Sequence, residues 1–162
     1  PRDSRSNAFD GSTSVDPTTG FTRPTTEGDD APHEVATLCG ALVLVRREAI
    51  ARVGAPFLEP SFFTYYEETD FFARCLRAGY RLWYVPDAVG WHRIGGADAR
   101  AAYRYHFHME RNRLLFAYRN FPSDVLDAEL ARTAKAAARD VMRRPVAFAR
   151  GDDDVLRARR DA

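Results

Sequence analysis

The apolar residues of this chain are unevenly placed, and that unevenness decides what can fold. Positions 35–121 hold most of the aromatics and most of the aliphatics. In 1–34 half of the residues are Gly, Ser, Thr or Pro, and acids outnumber bases seven to three. A segment of that composition cannot build a core of its own and reads as a polar arm or long loop. The 162 residues fit one domain, and 45% hydrophobic content is enough for a core within 35–121.

The densest stretch is "FFTYYEETDFFARCLRAGY", Phe62–Tyr80. Its first eleven residues set six aromatics around Glu67, Glu68 and Asp70. Ionised carboxylates are rarely buried unless paired, so the juxtaposition has two readings. The acids can simply open a helix, where each gains about 0.3–1 kcal/mol from the dipole. Alternatively, one of them faces an aromatic-lined cleft, where partial desolvation raises its pKa and makes it a usable general base.

Around this stretch the pattern predicts alternating strands and helices. Val35–Val45 reads as a buried strand and Arg46–Val53 as a short helix stopped by Gly54. Thr69–Ala78 reads as a second helix, burying Phe72, Cys75 and Leu76 and ended by Gly79. Tyr80–Val85 is a strand ended by Pro86 and Asp87, Val89–His92 a short extended piece, and Asp98–Phe121 a long helix. Residues 122–162 form a peripheral, Arg-rich helical tail. It begins at Ser123, carries a thin stripe of Leu126, Leu130, Ala134, Ala137 and Val141, and is broken by Pro145. Between Ala131 and Arg150 six bases face one acid. Such a stretch is either a solvated helix on the parent protein or one that lies on anionic lipid.

Composition narrows the classes. A net charge of +1 gives no global field for nucleic acid, and only Lys135 among 24 basic residues is lysine. Cys39 and Cys75 lack metal-type spacing and read as buried hydrophobes in a reducing compartment, which points to the cytoplasm. The longest apolar run, Leu38–Val45, is far short of the about 20 residues needed to cross a bilayer. Residues 1–34 show no charged-then-apolar signal pattern, and a chain opening on Pro1 is expected to have its natural start upstream or removed.

Three further positions could carry chemistry. His92 follows Trp91 at a strand end before Gly95–Gly96, where a neutral imidazole is either a metal ligand or a simple hydrogen-bonding group. Arg111 falls in the stripe Phe107, Leu114, Tyr118, Phe121, so it needs an anion. That anion is either a carboxylate such as Glu68 or Asp70, or a phosphate. Asn112 beside it could orient either. His106 and His108 point to different helix faces and His33 lies in the arm, so none reads as a ligand.

The order of these segments resembles the C-terminal half of a family 2 glycosyltransferase catalytic domain, most similar to rhamnosyltransferase-like bacterial members. The resemblance runs over residues 39–121. It comprises a Gly-containing strand, an Arg–Arg pair, a "VGAPF" turn, an aromatic run into "EETD", an "AGY" stop, a "YVP" strand end, a His before glycines, and an "RN" helix. It implies an α/β architecture of the GT-A type, here an incomplete mixed sheet flanked by helices. It implies inverting transfer from a nucleotide-diphosphate sugar to a hydroxyl on a glycan or lipid-linked acceptor, in cell-envelope polysaccharide or glycolipid synthesis. A divalent metal, Mg²⁺ or Mn²⁺, would neutralise the diphosphate.

By the same resemblance Glu68 is the base, Glu67 and Asp70 are its flanking acids, and His92 is the metal ligand. Gly40, Tyr65, Tyr66, Trp91, Arg111 and Asn112 face substrate. Where the family usually has Asp this chain has Glu68, one methylene longer. The donor-side half with its Asp-x-Asp is not recognisable before residue 35, so residues 35–121 are expected to form the acceptor-side half, inactive by itself. A non-catalytic interaction module of the same ancestry is the alternative.

Overall fold

The computed structural model describes residues 12–24, 31–90 and 99–150. Its strands are β1 (Ser12–Val15), β2 (Thr22–Pro24), β3 (His33–Val35), β4 (Thr37–Leu38) and β5 (Leu82–Tyr84). Its helices are α1 (Arg47–Val53), α2 (Glu67–Arg77), α3 (Ala99–Asn120) and α4 (Ser123–Arg150), with a 3-10 turn at Pro60–Phe62. One small sheet has the order β2-β1-β4, and a second pairs β3 with β5. The class is the expected one, α/β with an incomplete sheet flanked by helices, and every strand pairing among the described residues is antiparallel.

The polar arm is not all loop. Its residues 12–24 make the β1–β2 hairpin, for a reason local to "DPTTG". One oxygen of Asp16 accepts from the Thr18 amide (2.8 Å), the Thr18 hydroxyl (2.7 Å) and the Thr19 amide (3.1 Å). The Thr18 hydroxyl is the largest influence lowering the Asp16 pKa to about 2. Gly20 then turns the chain at φ 72°, a conformation glycine adopts without strain. Asp16 N–H closes the loop on the Phe21 carbonyl at 2.9 Å. An Asx-turn followed by glycine supplies the hairpin geometry that an apolar pattern would otherwise have to specify.

The apolar run Leu38–Val45 differs from the strand expected at Val35–Val45. Val35 ends β3 and pairs with Leu82, Thr37 and Leu38 pair with β1, and the chain then leaves the sheet with Leu44 100% exposed. Val43 and Val45 still turn inward against the first core cluster, which is built on Ala49, Phe71, Phe72 and Cys75. α2 therefore buries Phe71 in place of the expected Leu76, which lies at the surface. Its stop at Gly79 follows expectation. Gly79 N–H reaches the Leu76 carbonyl and Tyr80 N–H reaches that of Cys75, both at 3.0 Å, the paired bonds of a Schellman ending.

A second cluster of Phe62, Tyr66 and Phe116 sits between the hairpin, α2 and α3, with Val15 and Met109 packed on it. The buried stripe of α3 is Asn112, Arg113, Phe116 and Ala117, with Tyr118 turned to solvent. It is rotated from the expected one, so the buried arginine is Arg113 rather than Arg111. α4 is rotated too. It turns Glu129 inward and leaves Leu130 and Val141 exposed, because Arg113 of α3 draws the carboxylate to it. Pro145 does not end α4, which continues to Arg150. A proline inside a helix removes one rung of the ladder, and the residues on both sides of this one keep helical geometry. Trp91, His92 and the expected turn at Ile94–Gly96 lie outside the described residues.

Candidate active site

The carboxylates follow a loop of unusual backbone. Glu59 opens it by accepting from the amide (3.2 Å) and hydroxyl (3.0 Å) of Ser61. Phe63 then has φ 65° and ψ −58° while Thr64 N–H reaches back to the Phe62 carbonyl at 2.8 Å. This is the strained form of the γ-turn. Tyr65 (φ 65°) and Tyr66 (φ 72°) are also in the positive-φ region. Three such non-glycine residues within four positions require outside support.

Asn112 supplies that support. Fully buried on α3, its Nδ2 donates to the carbonyls of Phe62 (2.8 Å), Thr64 (2.6 Å) and Tyr65 (2.8 Å). Two N–H groups thus serve three acceptors, one of them shared. Its Oδ1 accepts from Arg111 at 2.6 Å, and Arg111 also donates to the Ser61 carbonyl at 2.8 Å. The anionic partner expected for Arg111 is therefore replaced by two neutral oxygens. The "RN" pair grips the loop from behind.

The loop delivers Glu67 and Glu68 at the first turn of α2. Glu68 packs on Gly40, where an added Cβ would meet its Cγ at 3.4 Å, and one Glu68 oxygen faces the Gly40 amide at 3.4 Å. The other oxygen is buried without a hydrogen-bond partner, as is Oε2 of Glu67. Desolvation first, then the charge of Glu67, raises the Glu68 pKa above the ordinary glutamate value. Gly40 and Glu68 are thus in contact, and Glu67 lies close enough for its charge to act on Glu68.

Asp70 is placed elsewhere. Two positions along a helix are about 200° around it, and Asp70 points into the α2–α3 contact. It accepts from Arg74 (3.0 Å), Arg119 (3.0 Å) and Asn120 (3.1 Å). Tyr66 is also a correction. It is 3% exposed, donates its hydroxyl to the Gly20 carbonyl at 2.9 Å, and burial pushes its pKa up to about 12. A ring enclosed in the core presents no face to a sugar.

Tyr65 does remain partly exposed, edge-on to Tyr105 of α3 with centroids 5.3 Å apart. Phe63, Tyr105 and His108 were not singled out as wall residues by sequence. Phe63 lies within the aromatic run, but nothing in the run distinguishes its backbone from that of its neighbours. Among the described residues no three His, Cys, Asp or Glu side chains are grouped to hold a metal. Two unpartnered carboxylate oxygens fall short of a divalent ion's set.

The fold and this site define an α/β domain that presents desolvated carboxylates behind a clamped aromatic loop. The model of the glycosyl transferase family group 2 matches residues 22–133, more than half of the chain, and the chain belongs to that family. Glycosyl transfer from an activated sugar is the activity that membership supports. No curated protein and no solved structure matches the chain. No helix among the described residues is long and apolar enough to cross a membrane.

Proposed function

We propose that this chain forms the acceptor side of an inverting glycosyltransferase in which Glu68 is the general base. The observation that carries the reading is the environment of that carboxylate, with one oxygen buried and unpartnered and the pKa raised by desolvation and Glu67. A hydroxyl of the acceptor donates its proton to Glu68 as its oxygen attacks the anomeric carbon, and the nucleoside diphosphate leaves on the opposite face. A base whose pKa is raised toward the operating pH combines a usable ionised fraction with a strong pull on the proton. Asn112 and Arg111 act as positioning residues in this scheme, holding the loop that leads into Glu68. Asp70 locks α2 to α3. His92 would be this chain's ligand to a divalent ion, which would supply neutralisation of the leaving diphosphate; Glu67 and Glu68 are not counted among its ligands.

The test is Glu68→Gln in the complete protein. Loss of a general base lowers turnover by about 10²–10⁴-fold. Unchanged turnover would refute the assignment.

A peripheral membrane contact is favoured by one further observation. Arg132, Lys135 and Arg139 of α4 line one shallow groove, with the exposed Met142 on the same side of the helix. An apolar side chain next to a basic row suits the surface of an anionic bilayer. Co-sedimentation with phosphatidylglycerol vesicles, but not with phosphatidylcholine vesicles, is expected, with binding reduced in Lys135→Glu.

A further inference from the structure

We propose that Phe63, Tyr65, Tyr105 and His108 form a binding site for a pyranose ring of the glycan acceptor. This inference rests on reading the chain as the acceptor side of a glycosyltransferase.

Phe63 is 80% exposed although its backbone is held in a strained γ-turn. Either feature alone is unfavourable, and the two together persist only because Asn112 fixes the carbonyls on both sides of the residue, at Phe62 and Thr64. Strain maintained by surrounding structure marks places where presentation of a side chain matters. Here it presents an apolar ring to solvent.

The ring is not isolated. It lies 5.3 Å from the imidazole of His108, tilted by 37°, while Tyr65 and Tyr105 meet edge to face at 5.3 Å. Tyr105 and His108 are three residues apart on α3 and share a face. The loop and the helix thus combine their rings into one exposed platform.

A pyranose has a face of C–H groups and a rim of hydroxyls. The negative face of an aromatic ring attracts the C–H side. The rim needs donors and acceptors, and the hydroxyls of the exposed Tyr65 and Tyr105 offer both. Burial, with Arg111 and Arg104 nearby, holds the His108 pKa below its ordinary value, so its imidazole is neutral and adds no charge to the platform. Tyr65 precedes Glu68 by three residues, so their Cα atoms are at most about 10 Å apart. That spacing suits an acceptor whose reactive hydroxyl reaches Glu68.

The experiment is a glycan array probed with the full chain, wild type and variants. Wild type is expected to retain a subset of glycans. Phe63→Ala and Tyr105→Ala should each lower that binding at least tenfold, while Phe63→Tyr, which keeps the ring, should preserve it. Phe63→Gly provides the control for folding, because it relieves the γ-turn. It should raise the melting temperature and still abolish glycan binding.

A nucleobase would also stack on rings of this kind, so the array is repeated with uridine and guanosine diphosphate as competitors, and neither should displace the glycans. No retained glycan, binding unchanged in Phe63→Ala and Tyr105→Ala, or displacement by either nucleotide would each overturn the site. Glu68→Gln separates the two readings. It should keep glycan binding while losing transfer, and if transfer persists the base assignment fails while the platform stands.

Discussion

Glu68 is held where its charge is costly. Burial and the neighbouring Glu67 both favour its protonated form, and its pKa lies above the ordinary glutamate value. The linkage has a definite sign. A carboxylate whose folded pKa exceeds its unfolded one contributes stability below the unfolded pKa, and that contribution is lost as pH rises through the folded pKa. Glu68→Gln is therefore expected to raise the melting temperature at pH 7 and to leave it nearly unchanged near pH 3, while turnover falls. Thermal unfolding at the two pH values, run beside the activity assay, checks both halves. A fall in stability at pH 7 would mean that the carboxylate is structurally required. In the wild type, turnover should rise with pH as Glu68 ionises, and this acid limb should vanish in any residual activity of the variant.

Single residues were also where the sequence was least legible. Glu67 and Glu68 stood out because acids among aromatics are anomalous in themselves, whereas Gly40 was singled out through the resemblance alone. Tyr65 and Tyr66, by contrast, are adjacent and identical, yet one is at the surface and the other in the core. Nothing in their types distinguishes them, and the decision is made by the Gly20 carbonyl, 46 positions away, which takes the Tyr66 hydroxyl. Arg111 and Arg113 pose the same difficulty. Either fits a helical stripe, and only the placement of Glu129 on another helix selects Arg113.

At the scale of elements, the loop before α2 depends on α3. Asn112→Ala removes the donor to three carbonyls at once. An unsatisfied buried acceptor costs about 1–3 kcal/mol, and the loop can relax part of that by opening to water. A loss of about 2–3 kcal/mol in urea unfolding is expected. Activity should fall further than stability explains, because the loop leads into Glu68. Asn112→Asp should not rescue, since an ionised carboxylate has no N–H to donate.

Helices with strong caps or stops were readable from sequence. α1, the end of α2 at Gly79 and the extent of α3 all follow local signals. The β1–β2 hairpin was missed because its signal is "DPTTG", turn chemistry without alternating apolar residues. The strand expected at Val35–Val45 failed for the converse reason. Its apolar run is genuine, but pairing requires a neighbouring strand, and among the described residues β1 reaches only Thr37 and Leu38.

At the scale of the whole molecule, the hairpin, α3 and α4 are joined by one buried arginine. Arg113, 1% exposed, bonds Glu129 of α4, Glu110 (3.0 Å), Thr133 (3.0 Å) and the Thr19 carbonyl of the hairpin tip (2.6 Å). Its guanidinium also stacks 4.4 Å from the Phe21 ring. A stripe of α4 that carries Glu129 and Thr133 inward and Leu130 outward makes sense only with this cation opposite it. Glu129 is buried, which alone would raise its pKa, but hydrogen bonds from Arg132 and the charge of Arg113 lower it overall. A depressed carboxylate stabilises the fold above its unfolded pKa, and that contribution is lost as pH falls through the folded value. The junction should therefore weaken below about pH 4, the ordinary range of a free glutamate.

Removing Glu129 leaves the buried Arg113 with Glu110 as its one remaining carboxylate, at a cost approaching the about 3–5 kcal/mol of breaking a buried pair. Glu129→Ala is expected to show that loss at pH 7, read as a fall in urea midpoint. Hydrogen exchange should localise it to α4 and the hairpin tip together. Replacing both partners, as Arg113→Met with Glu129→Leu, removes the desolvation cost along with the attraction, and stability should return toward wild type. If the double variant were as unstable as the single one, Arg113 would be needed for its bonds to the hairpin rather than for its charge pair. In that case the polar arm, and not α4, would be the element that this arginine holds in place.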